Sequence, residues 1–230
     1  MQTKKEKSCR RGLFVMAIFL LLGVLTVRCV FNDLMRSVSA SYLQENGRDI
    51  VCYILETNSK LENGLEHSIW PTKGDVDYTA GYSEIYFTDL ISSNVFHVPS
   101  YTWSSFVNGS GLPRATNEVD FLEGGHNVWS YIGGLADGAP GDTPFLFTKN
   151  FRFGNEDLRH YAGVVGYDKT FADKLDKHTK PLGNHAVVVI RRDGSTSMLK
   201  RRNLRTPSLF YGSSGETILN SPDAAVVHPK

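Results

Sequence analysis

The chain has 230 residues, of which 41% are hydrophobic, 11% aromatic and 21% charged. That balance supports a packed core and excludes bulk disorder. The formal charge is +1, with much of the basic excess in the first eleven residues. No large uncompensated basic surface follows from it, and no nucleic-acid partner is expected.

Residues 1–11 form a basic tip through Lys4, Lys5, Lys7, Arg10 and Arg11. An uncharged apolar run follows from Leu13 to Val27. It is shorter than the roughly 20 residues that span a bilayer comfortably. Gly12 at one end and Cys29, Val30 and Phe31 at the other lengthen it, with Arg28 placed to snorkel. Residues 12–30 therefore read as a single-pass transmembrane anchor. The positive-inside rule sets the tip in the cytoplasm and the rest of the chain outside. A removed signal peptide is the alternative. Its nearest small-x-small site, Val38-Ser39-Ala40, lies well past the apolar run, beyond Asp33 and Arg36. A retained anchor is the favoured reading.

Residues 31–57 keep a helical phase. Phe31, Leu34, Met35 and Val38 recur at three- and four-residue steps, and Leu43, Ile50, Val51, Ile54 and Leu55 resume them. Gly47 is expected to weaken or bend this helix. Two arrangements fit the spacing: one membrane helix continuing as an amphipathic one, or an anchor followed by a separate helix. The three cysteines read as unpaired. On one helix Cys29 and Cys52 would stand roughly 34 Å apart, beyond disulfide reach.

Residues 58–230 are expected to form one extracytoplasmic domain. Leu61 to Trp70 reads as a connection, with Trp70 a core plug where helix meets domain, and Thr72 to Thr79 as a loop. Ser83 to Ser92 reads as a short helix with Ser83 a candidate N-cap. Val95 to Phe106 is apolar but carries Pro99, which limits any strand to a short or edge one. Asn117 onward has a helical phase broken at Gly124-Gly125, and Val128, Trp129 and Ile132 are candidate core residues. Pro144 to Thr148 reads as a buried strand. Tyr161 to Tyr167 reads as a strand or buried turn, and Lys169 to Lys180 as a solvated segment. The best strand pair is His185 to Arg191 with Thr196 to Leu199, joined through Asp193-Gly194. The tail from Ser213 reads as turn and terminus.

Catalytic motifs are weak. None of the seven histidines sits in a metal-ligand spacing such as His-Glu-x-x-His. His126, after Gly124-Gly125, reads as a turn or core-edge residue rather than a catalyst. There is no nucleophile elbow and no phosphate-cradling glycine loop. Cys52 has no base near it in sequence. Asp75 with Asp77, and Asp137 with Asp142, are oxygen-ligand pairs of the kind calcium uses, though solvated turns are the favoured reading.

The order of several short pieces resembles bacterial pseudopilin-like proteins that carry a prepilin-processing-associated "H-X9-DG" domain. These are abundant in the planctomycete–verrucomicrobia–lentisphaera group and are similar to the major pseudopilin of type II secretion. The pieces are Arg10-Arg11-Gly12 before the apolar run, Ser68-Ile69-Trp70-Pro71, Pro144 to Asn150, Gly183 to Val189, Asp193-Gly194-Ser195 and Thr217 to Asn220. His185, Asp193 and Gly194 are the family-motif positions, with seven residues rather than nine between His185 and Asp193. Gly12 and Leu13 mark the candidate processing site. Cutting there puts Ala17 at the fifth mature position, where the family carries a Glu that pairs with a neighbour's N-terminus.

The resemblance implies an α+β, pilin-like fold, in which a long N-terminal membrane-stalk helix packs on a small antiparallel β-sheet. Trp70, Phe145, Phe147, Val187 and Val189 are expected to hold the domain on that helix. It implies a structural role at the inner membrane rather than an enzyme. The partners would be membrane lipid and other pilin-like subunits or secretion-system inner-membrane components. No cofactor is implied beyond a candidate calcium site, carried here by Asp137 and Asp142. A membrane-tethered extracytoplasmic enzyme or glycan-binding domain is the alternative.

Overall fold

The computed structural model describes residues 4–61, 68–72, 76–93, 95, 102–136, 138–161, 168–210, 221 and 223–230. Asp75, Asp137, Tyr161 to Tyr167 as a strand or turn, most of the Leu61 to Trp70 connection, and the Thr217 to Asn220 piece fall wholly or largely outside them. The chain divides into two compact units, Met1–Val38 and Ser39–Lys230.

Helix α1 spans Lys4–Leu61. It holds no proline, and its i→i−4 bonds satisfy the backbone without help from water. In the first unit the large apolar side chains face outward all round the helix. Phe14, Phe19, Leu20, Val24 and Val27 are each at least 64% exposed. This is one helix long and apolar enough to cross a membrane. In the second unit the same helix carries a buried stripe. Ala40, Leu43, Ile50 and Ile54 recur at helical spacing with 2% exposure or less.

After α1 come α2 (Ser83–Ser92), α3 (Glu118–Glu123), β1 (Trp129–Gly133), β2 (Pro144–Thr148), α4 (Asn155–Tyr161), β3 (Ala186–Arg191), β4 (Thr196–Lys200), α5 (Thr206–Phe210) and β5 (Ala225–Val227). The five strands form one antiparallel sheet in the order β4-β3-β2-β1-β5. An α+β layout with a long N-terminal apolar helix is therefore present.

Both faces of the sheet are covered. On one face Trp129, Tyr131, Phe145, Leu146, Val188 and Ile190 share a core with the buried stripe of α1 and with Tyr86 and Phe87 of α2. On the other, Phe147, Val187 and Val189 pack with Phe151, Phe153, Phe171 and Phe210. Successive strand residues point to opposite faces, so β3 contributes to both cores. This corrects one expectation. Trp70 and Phe145 lie on the helix side, but Phe147, Val187 and Val189 hold the far core. A register shift between Pro144 and Leu146 turns Phe145 and Leu146 to the same face and sends Phe147 to the other.

Local expectations change for similar physical reasons. Ser83 opens α2 but does not cap it; the cap position is Tyr82, and the Ser83 hydroxyl donates to the Trp129 carbonyl at 2.8 Å. Asn117 is the side chain that caps a helix, accepting from the Asp120 amide at 2.9 Å. Trp103–Val107 is a 3₁₀ turn rather than strand, closed by a reciprocal Thr102–Ser105 box. Within the segment expected to be solvated, Phe171 and Leu175 are buried. The tail is not merely a terminus: β5 pairs with β1, Val227 opposite Tyr131.

Candidate functional site

The residues that join α1 to the sheet are closely packed. Gly47 sits in the buried stripe between Leu43 and Ile50. A Cβ there would stand 2.6 Å from Ile190 Cγ1 and 2.7 Å from Trp129 Cη2. The glycine lets the helix backbone approach the sheet; α1 runs through it from Lys4 to Leu61. The expected weakening is offset by contact. Next to it, Asn46 Oδ1 accepts the indole N–H of Trp129 at 2.9 Å, and both residues are buried. Trp129 is held from behind as well. Its amide donates to Asn127 Oδ1, and Asn127 Nδ2 donates to Ser83 Oγ.

Trp70 plugs the same core. Its ring meets Phe145 edge-on at 4.9 Å, and the Arg192 guanidinium lies 4.6 Å over its centroid. Arg192 also donates to the carbonyls of Ala136 and Ala139. The adjoining turn is fastened on two sides. Asp193 N donates to Gly141 O, Asp193 Oδ1 accepts from Ser195 N, and Gly194 takes the left-handed conformation at φ 79°. A Cβ on Gly194 would touch Cys52 Sγ at 3.5 Å and Arg48 Cγ at 3.8 Å, so the hairpin tip rests on α1. Gln44 Nε2 reaches Thr196 Oγ1 at 3.3 Å beside it.

The family-motif residues are not brought together. Asp193 and Gly194 lie at the tip against α1, whereas His185 is exposed at the opposite end of β3. Gly12 and Leu13 lie within α1. Asp142 has its carbonyl oxygen taken by Arg191 Nη1 at 2.6 Å. Asp77 accepts from the Thr79 amide at 3.0 Å. Among the described residues no group of three or more His, Cys, Asp or Glu side chains is placed to hold a metal. His126 Nδ1 bonds the Pro113 carbonyl at 3.0 Å.

A cleft of about 660 Å³ runs along α1. Tyr42, Glu45, Asp49 and Tyr53 form one wall, and Ser105, Asn108, Gly109 and Arg114 belong to the other. Gly109 is required here: its φ is 79° and a Cβ would lie 2.5 Å from Tyr42 Cβ. The lining carries charge and phenols but no thiol or imidazole.

A polar latch closes the C-terminal end. His228 O accepts from Ser83 N at 3.0 Å, and the Lys230 amide donates to the Glu84 carboxylate at 3.2 Å. Burial raises the Glu84 carboxyl above its ordinary range and pushes the His228 imidazole down. His228 Nε2 faces the Phe153 carbonyl at 2.8 Å and must carry the proton there, leaving Nδ1 to accept from Ser130 Oγ at 2.9 Å. Sequence reasoning missed this latch, because three strand residues and a Pro give no periodic signal.

Comparison with protein-family models, with curated proteins and with solved structures finds no match to this chain.

Proposed function

We propose that this chain is a membrane-anchored, pilin-like structural subunit that works by contact between subunits and performs no chemistry. The observation that carries the reading is α1. The described large apolar side chains between Phe14 and Val38 are exposed, whereas residues 40–54 of the same helix supply the buried stripe of a folded domain. Burying that outward apolar surface in lipid removes its cost in water, at about 25 cal/mol per Å². In this reading the basic tip is cytoplasmic, residues 12–30 cross the inner membrane, and the sheet domain stands outside. The partners are like subunits or inner-membrane components of a type II secretion or type IV pilus-like system.

The test uses the full chain in its native membranes. The chain is expected to resist extraction by alkaline carbonate and to dissolve in detergent. N-terminal mass spectrometry is expected to find residues 13–38 retained; a mature chain starting after Ala40 overturns the anchor. Cys29 and Cys52 are free and exposed. Mild oxidation of a Cys9→Ser/Cys52→Ser variant is expected to give Cys29-linked adducts between neighbouring chains or with a membrane partner. Monomer alone, at native abundance, argues against subunit contact.

A further inference from the structure

The near-neutral total conceals a local excess of positive charge. Between Asp168 and Arg205 the chain carries ten lysines and arginines against four aspartates. Part of this charge converges on an open pocket of about 550 Å³ lined by Thr170, Ala172, His185, Lys200, Arg201 and Arg202. We propose that this pocket binds a phosphate-monoester group, carried either by a small soluble molecule or by a lipid headgroup.

The frame is built from backbone bonds rather than from mobile side chains. Arg201 N donates to His185 O at 2.7 Å, which ties the end of β4 to the start of β3. Phe171 N donates to Leu204 O at 2.9 Å, and Thr206 N to Lys169 O at 2.9 Å, which fix the opposite wall. Phe171 and Leu204 are fully buried beneath it. The pocket floor is thereby anchored to the far core of the sheet.

Charge compensation stops short of the pocket. Arg205 takes the nearby Asp168 carboxylate in two contacts of 2.6 Å. Among the described residues neither Lys200, Arg201 nor Arg202 has a carboxylate within ion-pair distance. Asp173 follows Ala172 in a 3₁₀ turn and is not among the residues that line the pocket. Thr170 Oγ1 accepts from Ala172 N at 3.3 Å, which leaves its hydroxyl proton as a donor. Two guanidinium forks, an ammonium and a hydroxyl match the three oxygens and near-dianionic charge of a phosphate monoester. The volume admits one small ligand and not a polymer groove.

The pocket does not depend on subunit assembly, so its test stands apart from the structural reading. Full-length protein in zwitterionic detergent is titrated with glucose 6-phosphate by calorimetry. The expected result is saturable one-site binding, weakened at least tenfold in Arg201→Ala/Arg202→Ala and little changed in Lys177→Ala/Lys180→Ala. Circular dichroism and the melting temperature should not move, because the two arginines are exposed. Non-saturable binding overturns the proposal, as does an equal loss in both double variants, which marks diffuse charge. A second titration in micelles doped with phosphatidic acid distinguishes the sources. Competition assigns the site to a lipid headgroup, and unchanged sugar-phosphate binding assigns it to a soluble ligand.

Discussion

Asn46 on α1 accepts the indole N–H of Trp129 on β1 at 2.9 Å, 83 residues apart in the chain and wholly inside the core. Here the helix and the sheet exchange a buried side-chain hydrogen bond, beside the part-buried one from Gln44 to Thr196. Replacing Asn46 by Leu strands the indole donor, at a cost of about 1–3 kcal/mol. Urea unfolding of the detergent-solubilised chain reads the loss. Adding Trp129→Phe removes the stranded donor, so the double variant is expected to lose less than the sum of the single ones. Additivity would show that the bond contributes nothing of its own.

Gly47→Ala sets two effects against each other. Helix propensity favours alanine by about 0.5–1 kcal/mol. Overpacking against the Trp129 ring and Ile190 opposes it by about 1–3 kcal/mol. The second is larger because the nearest atoms belong to a rigid ring and a buried strand residue. The melting temperature is expected to fall. Gly23→Ala is the control: nothing lies within 4 Å of its added methyl.

Arg192→Lys keeps the charge but loses the planar fork over Trp70 and the paired donation to Ala136 and Ala139. The expected cost is about 1–2 kcal/mol. Trp fluorescence should shift with it, since Trp70 loses its stacked cation. A lysine variant as stable as the native chain would mean that charge alone matters there.

The latch makes stability depend on pH in two opposite senses. His228 has a depressed pKa in the fold, so the unfolded chain binds its proton more readily. Its contribution is complete above the unfolded value of about 6.5 and is lost as pH falls below it. Glu84 is raised, so its contribution is present below the unfolded value of about 4.3 and is lost as pH rises through the folded one. His228→Gln is expected to flatten the decline of the unfolding free energy between pH 7 and pH 5. An unchanged slope would mean that the imidazole takes its proton equally well in both states.

Elements with a local signature were legible. Ser83–Ser92 and Pro144–Thr148 have the bounds their residues implied, and Asp193-Gly194 turns the hairpin between β3 and β4. The parity of β3 was not legible: Ala186 to Ile190 is apolar throughout, so no alternation tells which side chains meet the helix. β5 is too short to register in sequence, and it exists because β1 offers it an edge. The basic pocket was hidden because acidic residues elsewhere cancel its charge in the total.

By itself the sequence determined the apolar helix, the hairpin and the apolar content of both cores, because periodicity, turn chemistry and hydrophobicity are properties of neighbouring residues. The tertiary structure decided why Gly47 is a contact rather than a break, which strand residues face α1, and where the arginines of the basic pocket gather. Those depend on atoms brought together from distant parts of the chain, and no local pattern records them.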